Sequence, residues 1–196
     1  MTKKTDLKLE ENLQIETGEH TKFILKANQI SSLLSEIHKR PEARNVYGYL
    51  TEVSAFRGIF SVMREMIKKL PTFRTYLQEI FGEEYFAFEQ IIRFLRNVLS
   101  HSTTPSISIE LADFDKQKEY LTSQKVKKLN LHFVYAEHLK EREGSKEYAC
   151  DISLDLFKLK PLTPLDKVIS LHQRYVLAEL CFNVTKIVLM RTRKKG

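Results

Sequence analysis

Apolar side chains recur every three to four residues over most of the chain between Thr21 and Ser100, which is the spacing that buries one face of a helix. Prolines and a glycine divide this pattern. Pro41 and Pro71 each lack a backbone donor and push the preceding residue out of the helical region, and Gly82 suits the end of a helix. The helices predicted from these signals cover residues 21–40, 42–70, 72–81 and 83–100.

The pattern changes to strict alternation in the second half of the chain. After a polar stretch and a small predicted helix over 112–124, apolar and polar residues alternate over 129–135 and again over 150–156. The loop between these two runs contains Gly144. Alternation of this kind is typical of strands, so the sequence predicts a β-hairpin over about 128–157.

A long apolar segment near the C-terminus begins with strong helix-start signals. Thr163 suits the N-cap position and Pro164 the first position of a helix, which is predicted to continue to Met190. Its apolar residues lie almost all round, as in the central helix of a bundle. The polar residues Glu179 and Lys186 within it argue against a membrane-spanning segment.

The sequence therefore predicts one mainly α-helical domain with two tails. Residues 1–21 are polar and nearly devoid of aromatic side chains, so we expect a flexible tail there. Residues 22–190 are predicted to form a single helical bundle, with the small hairpin inserted before the last helix. Residues 191–196 are expected to be a basic tail.

Composition and charge narrow the possible functions. The chain has 196 residues and 2 cysteines, Cys150 and Cys181, which predicts neither a disulfide framework nor a paired zinc site. The net charge is +7, which is compatible with a polyanionic partner, although ordinary solubilising charge is the simpler interpretation. Because the first residues are charged and lack an apolar stretch, we expect no secretory signal, no membrane association and a cytoplasmic location.

One face of the helix predicted over 83–100 is polar throughout. Glu89, Arg93, Asn97 and His101 follow one another at intervals of four residues and therefore share a strip of the helix surface. A solvated helix face is the simplest interpretation of such a strip. Phe86, however, lies in the middle of the polar face, and an exposed aromatic side chain indicates a surface that meets a partner. The remaining polar residues of this face are Gln90, Arg96 and Ser100.

The segment from Arg96 to His101 reads Arg-Asn-Val-Leu-Ser-His. From the abundance of the three residue types, Arg-Asn-x3-His is expected in a chain of this composition only roughly 0.01 times by chance. The segment resembles the signature of the HEPN superfamily of small all-α nucleotide-binding and RNA-cleaving domains. That signature is an arginine, usually followed by a polar residue, with a histidine a few positions later near the end of a bundle helix. The order of predicted helices over 22–190 is also similar to that family.

The resemblance implies a function and the residues that carry it. Members of the family cleave single-stranded RNA without metal as homodimers, with two copies of the motif facing each other. Arg96 and His101 would then be the catalytic pair and Asn97 a supporting residue. Further contacts with RNA phosphates are expected from Arg93, Ser100 and Arg174.

Elementary chemistry is consistent with these residue types. Attack of a ribose 2′-hydroxyl on the adjacent phosphate needs a proton acceptor, a proton donor for the leaving 5′ oxygen and a cation on the phosphorane. Histidine side chains serve as acceptor or donor near neutral pH, and arginine binds phosphate oxygens through two parallel hydrogen bonds. One histidine cannot perform both proton transfers at once, so a two-fold dimer that contributes two copies of His101 is expected.

Other residues provide weaker candidates. His132 and His138 lack partners at metal-ligand spacing, and Asp113 with Asp115 lacks the pattern of a calcium loop. Arg174 is expected to be an ordinary surface residue, and it could support phosphate binding if the start of the last helix lies beside His101. No glycine-rich phosphate loop is present in the sequence. We therefore expect no metal site and no cofactor.

Two classes of function remain open from the sequence. The first is a metal-independent endoribonuclease, such as a toxin or antiviral effector that an antitoxin protein restrains. The second is a non-catalytic binding module that uses the same cationic surface to hold RNA, a nucleotide or a protein. Cleavage by the purified protein, compared with variants of Arg96 and His101, distinguishes them.

Overall fold

A computed structural model gives the fold of this chain. It describes residues 7–9, 13–16, 22–25, 46–101, 109–110, 114–138 and 145–193, and all structural statements below concern these residues.

Five helices dominate the described part of the chain. They are α1 (Val46–Lys69), α2 (Pro71–Phe81), α3 (Tyr85–His101), α4 (Asp115–Ser123) and α5 (Leu171–Arg193). Two short 3-10 turns, Gly82–Glu84 and Leu165–Lys167, precede α3 and α5. The strands are β1 (Leu7–Leu9), β2 (Leu13–Glu16), β3 (Lys22–Leu25), β4 (Leu129–His138) and β5 (Ser145–Leu154). The prediction of a mainly α-helical chain with a small hairpin is therefore confirmed.

The helix breaks occur where the sequence signals place them. Pro71 is the first residue of α2, where a missing backbone donor costs nothing. Gly82 follows the end of α2 with a φ of 53°, a conformation that favours glycine, and its N–H donates to the carbonyl of Gln78. The chain can then turn sharply and begin α3 three residues later.

One apolar core joins the helices to the hairpin. Helix α3 packs against α1 and against β4, while α5 packs against α1 and β5. On α3, Ile91, Leu95 and Val98 are buried, as the apolar face of this helix predicts. The largest fully buried side chains are Phe60, Met63, Ile67, Phe73, Phe81, Phe88, Phe94, Phe114 and Phe133.

The hairpin pairs in an antiparallel register that agrees with the alternating pattern. Leu129 lies opposite Leu154, and Leu131 lies opposite Ile152, with all four side chains buried. Between them, Asn130 pairs with Ser153 on the exposed face. The hairpin therefore presents one apolar face to the core and one polar face outward.

The N-terminal region differs from the prediction. Strands β1, β2 and β3 form a three-stranded antiparallel sheet, and β3 lies beside β4. Two of these strands fall inside 1–21, where the sequence analysis predicts a tail, and β3 occupies the start of the helix predicted over 21–40. In β1 and β2 apolar and polar residues alternate, which fits a strand, although the overall polarity of 1–21 predicts a tail. In β3 the run Phe-Ile-Leu suits a strand as well as the start of the helical spacing that follows it. The rest of that predicted helix lies outside the described residues.

The last helix begins later than the prediction of Thr163. The Thr163–Pro164 pair opens the 3-10 turn instead, and α5 starts at Leu171. Its N-terminus is a capping box, because the backbone N–H of Gln173 donates to Ser170 Oγ over 3.2 Å and the N–H of Ser170 donates to Gln173 Oε1 over 2.8 Å. At the other end α5 reaches Arg193, three residues into the predicted basic tail.

In the described part of the chain, none of the helices is both long enough and apolar enough to cross a bilayer.

Candidate functional site

The Arg-Asn-x3-His segment forms the last turns of α3. Arg96, Asn97 and Ser100 are half-buried, and His101 is the exposed final residue of the helix. The apolar residues between them, Val98 and Leu99, point into the core and fix the orientation of the helix. The motif therefore lies on the polar edge of a helix whose opposite face is anchored.

Arg96 contacts an uncharged neighbour. Its Nη1 donates to Asn97 Oδ1 over 3.2 Å. No carboxylate among the described residues forms an ion pair with Arg96. On the neighbouring helix α1, the hydrogen bond from Lys69 is the largest cause that lowers the pKa of Glu65, and the charge of Arg96 is the smallest. None of the carboxylates that the structure describes therefore neutralises the positive charge of Arg96.

Arg96 and His101 lie at opposite edges of the polar face. Five residues along a helix correspond to a rotation of about 140° and a rise of about 7.5 Å. Asn97 and Arg93 lie between them on the helix surface. A single α3 helix therefore presents the guanidinium of Arg96 and the imidazole of His101 at different sides of its polar face.

An arginine of α1 binds the end of α3. Arg57 Nε donates to the backbone carbonyl of Leu99 over 2.6 Å. The last carbonyls of a helix lack partners within the helix and carry its negative pole, so this cation stabilises the end of α3. The bond holds in place the turn that carries Ser100 and His101.

A second arginine of α1 contacts the middle of α3. Arg64 Nη1 and Glu89 Oε1 form an ion pair at 2.7 Å, with about one fifth of each side chain exposed. Burial, and then the nearby charge of Arg64, lower the pKa of Arg93, although an arginine so perturbed stays protonated near neutral pH. Burial and then the charge of Glu89 raise the pKa of Tyr85 to about 12. The two arginines and one carboxylate of this cluster, Arg64, Arg93 and Glu89, carry a net charge of +1.

These contacts define a surface that we call the cationic ridge. It consists of Arg57, Arg64, Arg93 and Arg96. Two of its members come from α1 and two from α3. Arg57 and Arg64 are not among the candidates chosen from the sequence. Their separation of seven residues, two helical turns on one face, is the signal that identifies them once α1 is known to lie beside α3.

Two further residues of the predicted polar face have structural partners within the chain. Gln90 is buried, and Gln117 Nε2 of α4 donates to its backbone carbonyl over 2.8 Å and to its Oε1 over 3.2 Å. The expectation that Gln90 lies on the polar surface is therefore wrong. Phe86 packs against the core and lies 6.1 Å from the ring of Tyr120, measured between centroids. Its position is thus explained in part by packing against α4.

Arg174 is a structural residue. It is 3% exposed, its Nη2 forms an ion pair with Asp166 Oδ1, and its guanidinium lies 5.9 Å from the centre of the Phe56 ring. The ordinary surface position expected for it is therefore wrong. An arginine this deeply buried has almost no surface to offer to RNA, so we leave it out of the candidate site.

The other sequence candidates also have local roles. His132 Nδ1 lies 2.5 Å from Asp151 Oδ1 across the hairpin, which is an exposed cross-strand pair. Cys150 and Cys181 are buried free thiols, and burial raises the pKa of Cys150 to about 12. Asp113 and the side chain of His138 lie outside the described residues. Within the described ranges, no three histidine, cysteine or acidic residues converge in a way that could hold a metal ion.

No protein-family model matches this chain, and neither a curated protein nor a solved structure shows significant similarity to it.

Proposed function

We propose that this chain is an endoribonuclease that cleaves single-stranded RNA without a metal ion, as a HEPN-like homodimer with a composite site built from Arg96 and His101 of both subunits. In this proposal Asn97 supports Arg96, and Arg93 and Ser100 contact flanking phosphates. The protein acts in the cytoplasm as a toxin or antiviral effector, and an antitoxin protein restrains it.

The proposal rests mainly on the exposure and the hydrogen-bond partner of Arg96. It is half-exposed, held by a neutral amide and paired with no carboxylate among the described residues, so its guanidinium keeps its charge for an anionic ligand. His101 lies on the same polar face of α3 and is exposed. The two groups that phosphate transesterification requires are therefore both accessible from solvent.

The separation of these two groups favours the two-fold arrangement. Arg96 and His101 occupy opposite edges of the polar face of α3, so two antiparallel α3 helices related by a two-fold axis midway between these residues would bring Arg96 of one subunit level with His101 of the other along the helix axes. The first imidazole accepts the proton of the 2′-hydroxyl as its oxygen bonds to phosphorus. The second donates a proton to the 5′ oxygen as the phosphorus–oxygen bond breaks, leaving a 2′,3′-cyclic phosphate and a 5′-hydroxyl. Arg96 stabilises the charge on the phosphorane.

The oligomeric state tests the arrangement separately. Light scattering is expected to give twice the monomer mass of 23.0 kDa at micromolar concentration. A species of 23.0 kDa that does not change with concentration would contradict the composite site.

The cationic ridge also favours a second candidate function, a binding module that holds RNA, a nucleotide or an acidic protein without reaction. Three of its arginines, Arg64, Arg96 and Arg57, are held by Glu89, Asn97 and the Leu99 carbonyl respectively, which suits static recognition of phosphate. Incubating the purified protein with single-stranded RNA in EDTA separates the two candidates. Cleavage that His101→Ala removes supports the nuclease, whereas binding of intact RNA supports the module.

A further inference from the structure

The surface beside Arg93 combines features that suit an unpaired nucleic acid strand. Tyr120, in the last turn of α4, is 40% exposed and lies against Phe86 of α3, with the two rings inclined by 33°. An aromatic ring that is supported from behind and open in front can stack with a nucleobase of any sequence. Tyr120 therefore offers a preformed stacking surface.

A charge lies next to this aromatic pair. Arg93 follows Phe86 by seven residues on α3, which is two helical turns along the same face, and burial is the largest cause that lowers its pKa. In the part of the chain that the structure describes, Arg93 forms no ion pair with a carboxylate, because Glu89 is bound by Arg64. The guanidinium of Arg93 is thus available to a phosphate beside a stacked base.

The position of this surface relates it to the candidate site. Arg93 precedes Arg96 by one helical turn and His101 by two, so the distance from Arg93 to His101 along the axis of α3 is about 12 Å. A few nucleotides span this distance. A strand with its scissile phosphate at Arg96 would therefore pass Arg93 and Tyr120 on its way out.

We propose that Phe86, Tyr120 and Arg93 form a platform that binds the single-stranded RNA segment flanking the scissile phosphate, with a base stacked on Tyr120 and a phosphate on Arg93. The choice of RNA as ligand rests on the proposed nuclease function. The platform explains why an aromatic residue lies within the polar face of α3 and why its partner on α4 remains half exposed. Its recognition is independent of sequence, because every base has an aromatic face.

The test uses a ligand that the proposed chemistry cannot cut. A fluorescein-labelled, fully 2′-O-methylated oligoribonucleotide of mixed sequence lacks the attacking hydroxyl, and fluorescence anisotropy gives its dissociation constant. We expect Tyr120→Ala and Tyr120→Leu to weaken binding about 5- to 100-fold, and Tyr120→Phe to bind within about two-fold of the unchanged protein. The leucine variant keeps an apolar side chain against Phe86 but removes the aromatic face together with the hydroxyl, whose contribution Tyr120→Phe measures separately.

Charge is tested on the same platform. Arg93→Gln is expected to reduce the slope of log affinity against log salt concentration by about 0.7, the value for one phosphate contact on a single strand, whereas Arg93→Lys keeps the slope. Phe157→Ala and Lys158→Gln are the matched controls, because both side chains are exposed and lie outside the platform. We expect both controls to bind as the unchanged protein does.

The outcomes separate this inference from the proposed function. If the protein cleaves unmodified RNA but Tyr120→Ala and Tyr120→Leu bind the methylated strand normally, the platform is wrong and the nuclease stands. If the protein binds that strand in a Tyr120-dependent manner but cleaves no RNA, the nuclease is wrong and the platform stands. Failure to bind the strand at all, or equal weakening by Phe157→Ala, would overturn the platform.

Discussion

The C-terminal end of α3 and the N-terminal end of α5 each carry an arginine that the sequence analysis associates with phosphate, yet the structure gives the two residues opposite surroundings. Arg174 is buried, bound to Asp166 and covered by Phe56. Arg96 is half-buried, and among the described residues its hydrogen-bond partner is the neutral Asn97. The comparison teaches that the partner of an arginine, rather than its place near a helix end, indicates whether its charge stabilises the fold or remains for a ligand.

The largest expected effect concerns the residue at the exposed end of α3. If His101 transfers protons, His101→Ala should reduce the cleavage rate by about 100- to 10,000-fold while RNA affinity stays within a few-fold, because the phosphate contacts remain. Single-turnover cleavage and anisotropy measure the two quantities. His172→Ala is the matched control, since it removes an exposed histidine at the start of α5. Equal loss in both variants would contradict the assignment.

The second largest effect is expected from the removal of the Arg96 guanidinium. Arg96→Ala should weaken both RNA binding and cleavage by about 10- to 100-fold, because it removes a cation that contacts phosphate in the ground state and in the transition state. The free energy of unfolding should change by no more than about 0.5 kcal/mol, since the residue is half-exposed and holds no ion pair among the described residues. Urea titration provides this measurement. A large loss of stability would place Arg96 in the same structural class as Arg174.

Arg174→Ala should show the converse behaviour. We expect the free energy of unfolding to fall by about 2–4 kcal/mol, because the change deletes a buried side chain, its ion pair with Asp166 and its contact with Phe56. The cleavage rate per folded molecule should remain unchanged. Thermal unfolding followed by circular dichroism measures the first quantity, and cleavage well below the new melting temperature measures the second. An Arg174→Ala protein that is stable but inactive would contradict this assignment, because Arg174 would then serve cleavage rather than the fold.

Asn97→Ala should produce the smallest effect. The substitution removes the hydrogen bond that orients Arg96, so cleavage is expected to fall by less than about ten-fold, with RNA affinity nearly unchanged. Alanine is the better helix former, which offsets the lost bond in stability. Comparison with Asn97→Gln, which keeps an amide on a longer side chain, tests whether the position of that amide matters. If neither variant changes the cleavage rate, the hydrogen bond from Arg96 to Asn97 is not needed to orient the guanidinium.

Much of this architecture is predictable because its signals are long or sharply punctuated. Helices α1 to α3 follow from more than two turns of apolar spacing and from Pro71 and Gly82, and the hairpin follows from two alternating runs. The buried face of α3 follows for the same reason. Each of these patterns repeats often enough that one register buries it best.

The differences arise where a partner distant in sequence decides the outcome. Gln90 is buried because Gln117, 27 residues later, satisfies its polar groups. Arg174 is buried because Asp166 and Phe56 both contact it, and nothing local in the sequence indicates Phe56.

The start of α5, by contrast, is marked by a local signal, since Ser170 and Gln173 have capping-box spacing. The Thr163–Pro164 pair lies upstream and is the stronger helix-start signal of the two, so the sequence favours the earlier start.

The central claim is that Arg96 and His101 cleave RNA by transesterification, and one measurement tests it most directly. The purified protein is incubated in EDTA with a short single-stranded RNA and with the same strand carrying a single 2′-deoxy nucleotide at the cleaved position. The proposal predicts that the RNA is cut to 2′,3′-cyclic phosphate and 5′-hydroxyl ends, that EDTA leaves the rate unchanged, and that the deoxy strand stays intact at that position because the nucleophile is missing. Cleavage of the deoxy strand at that position, or complete dependence on added magnesium, would contradict it.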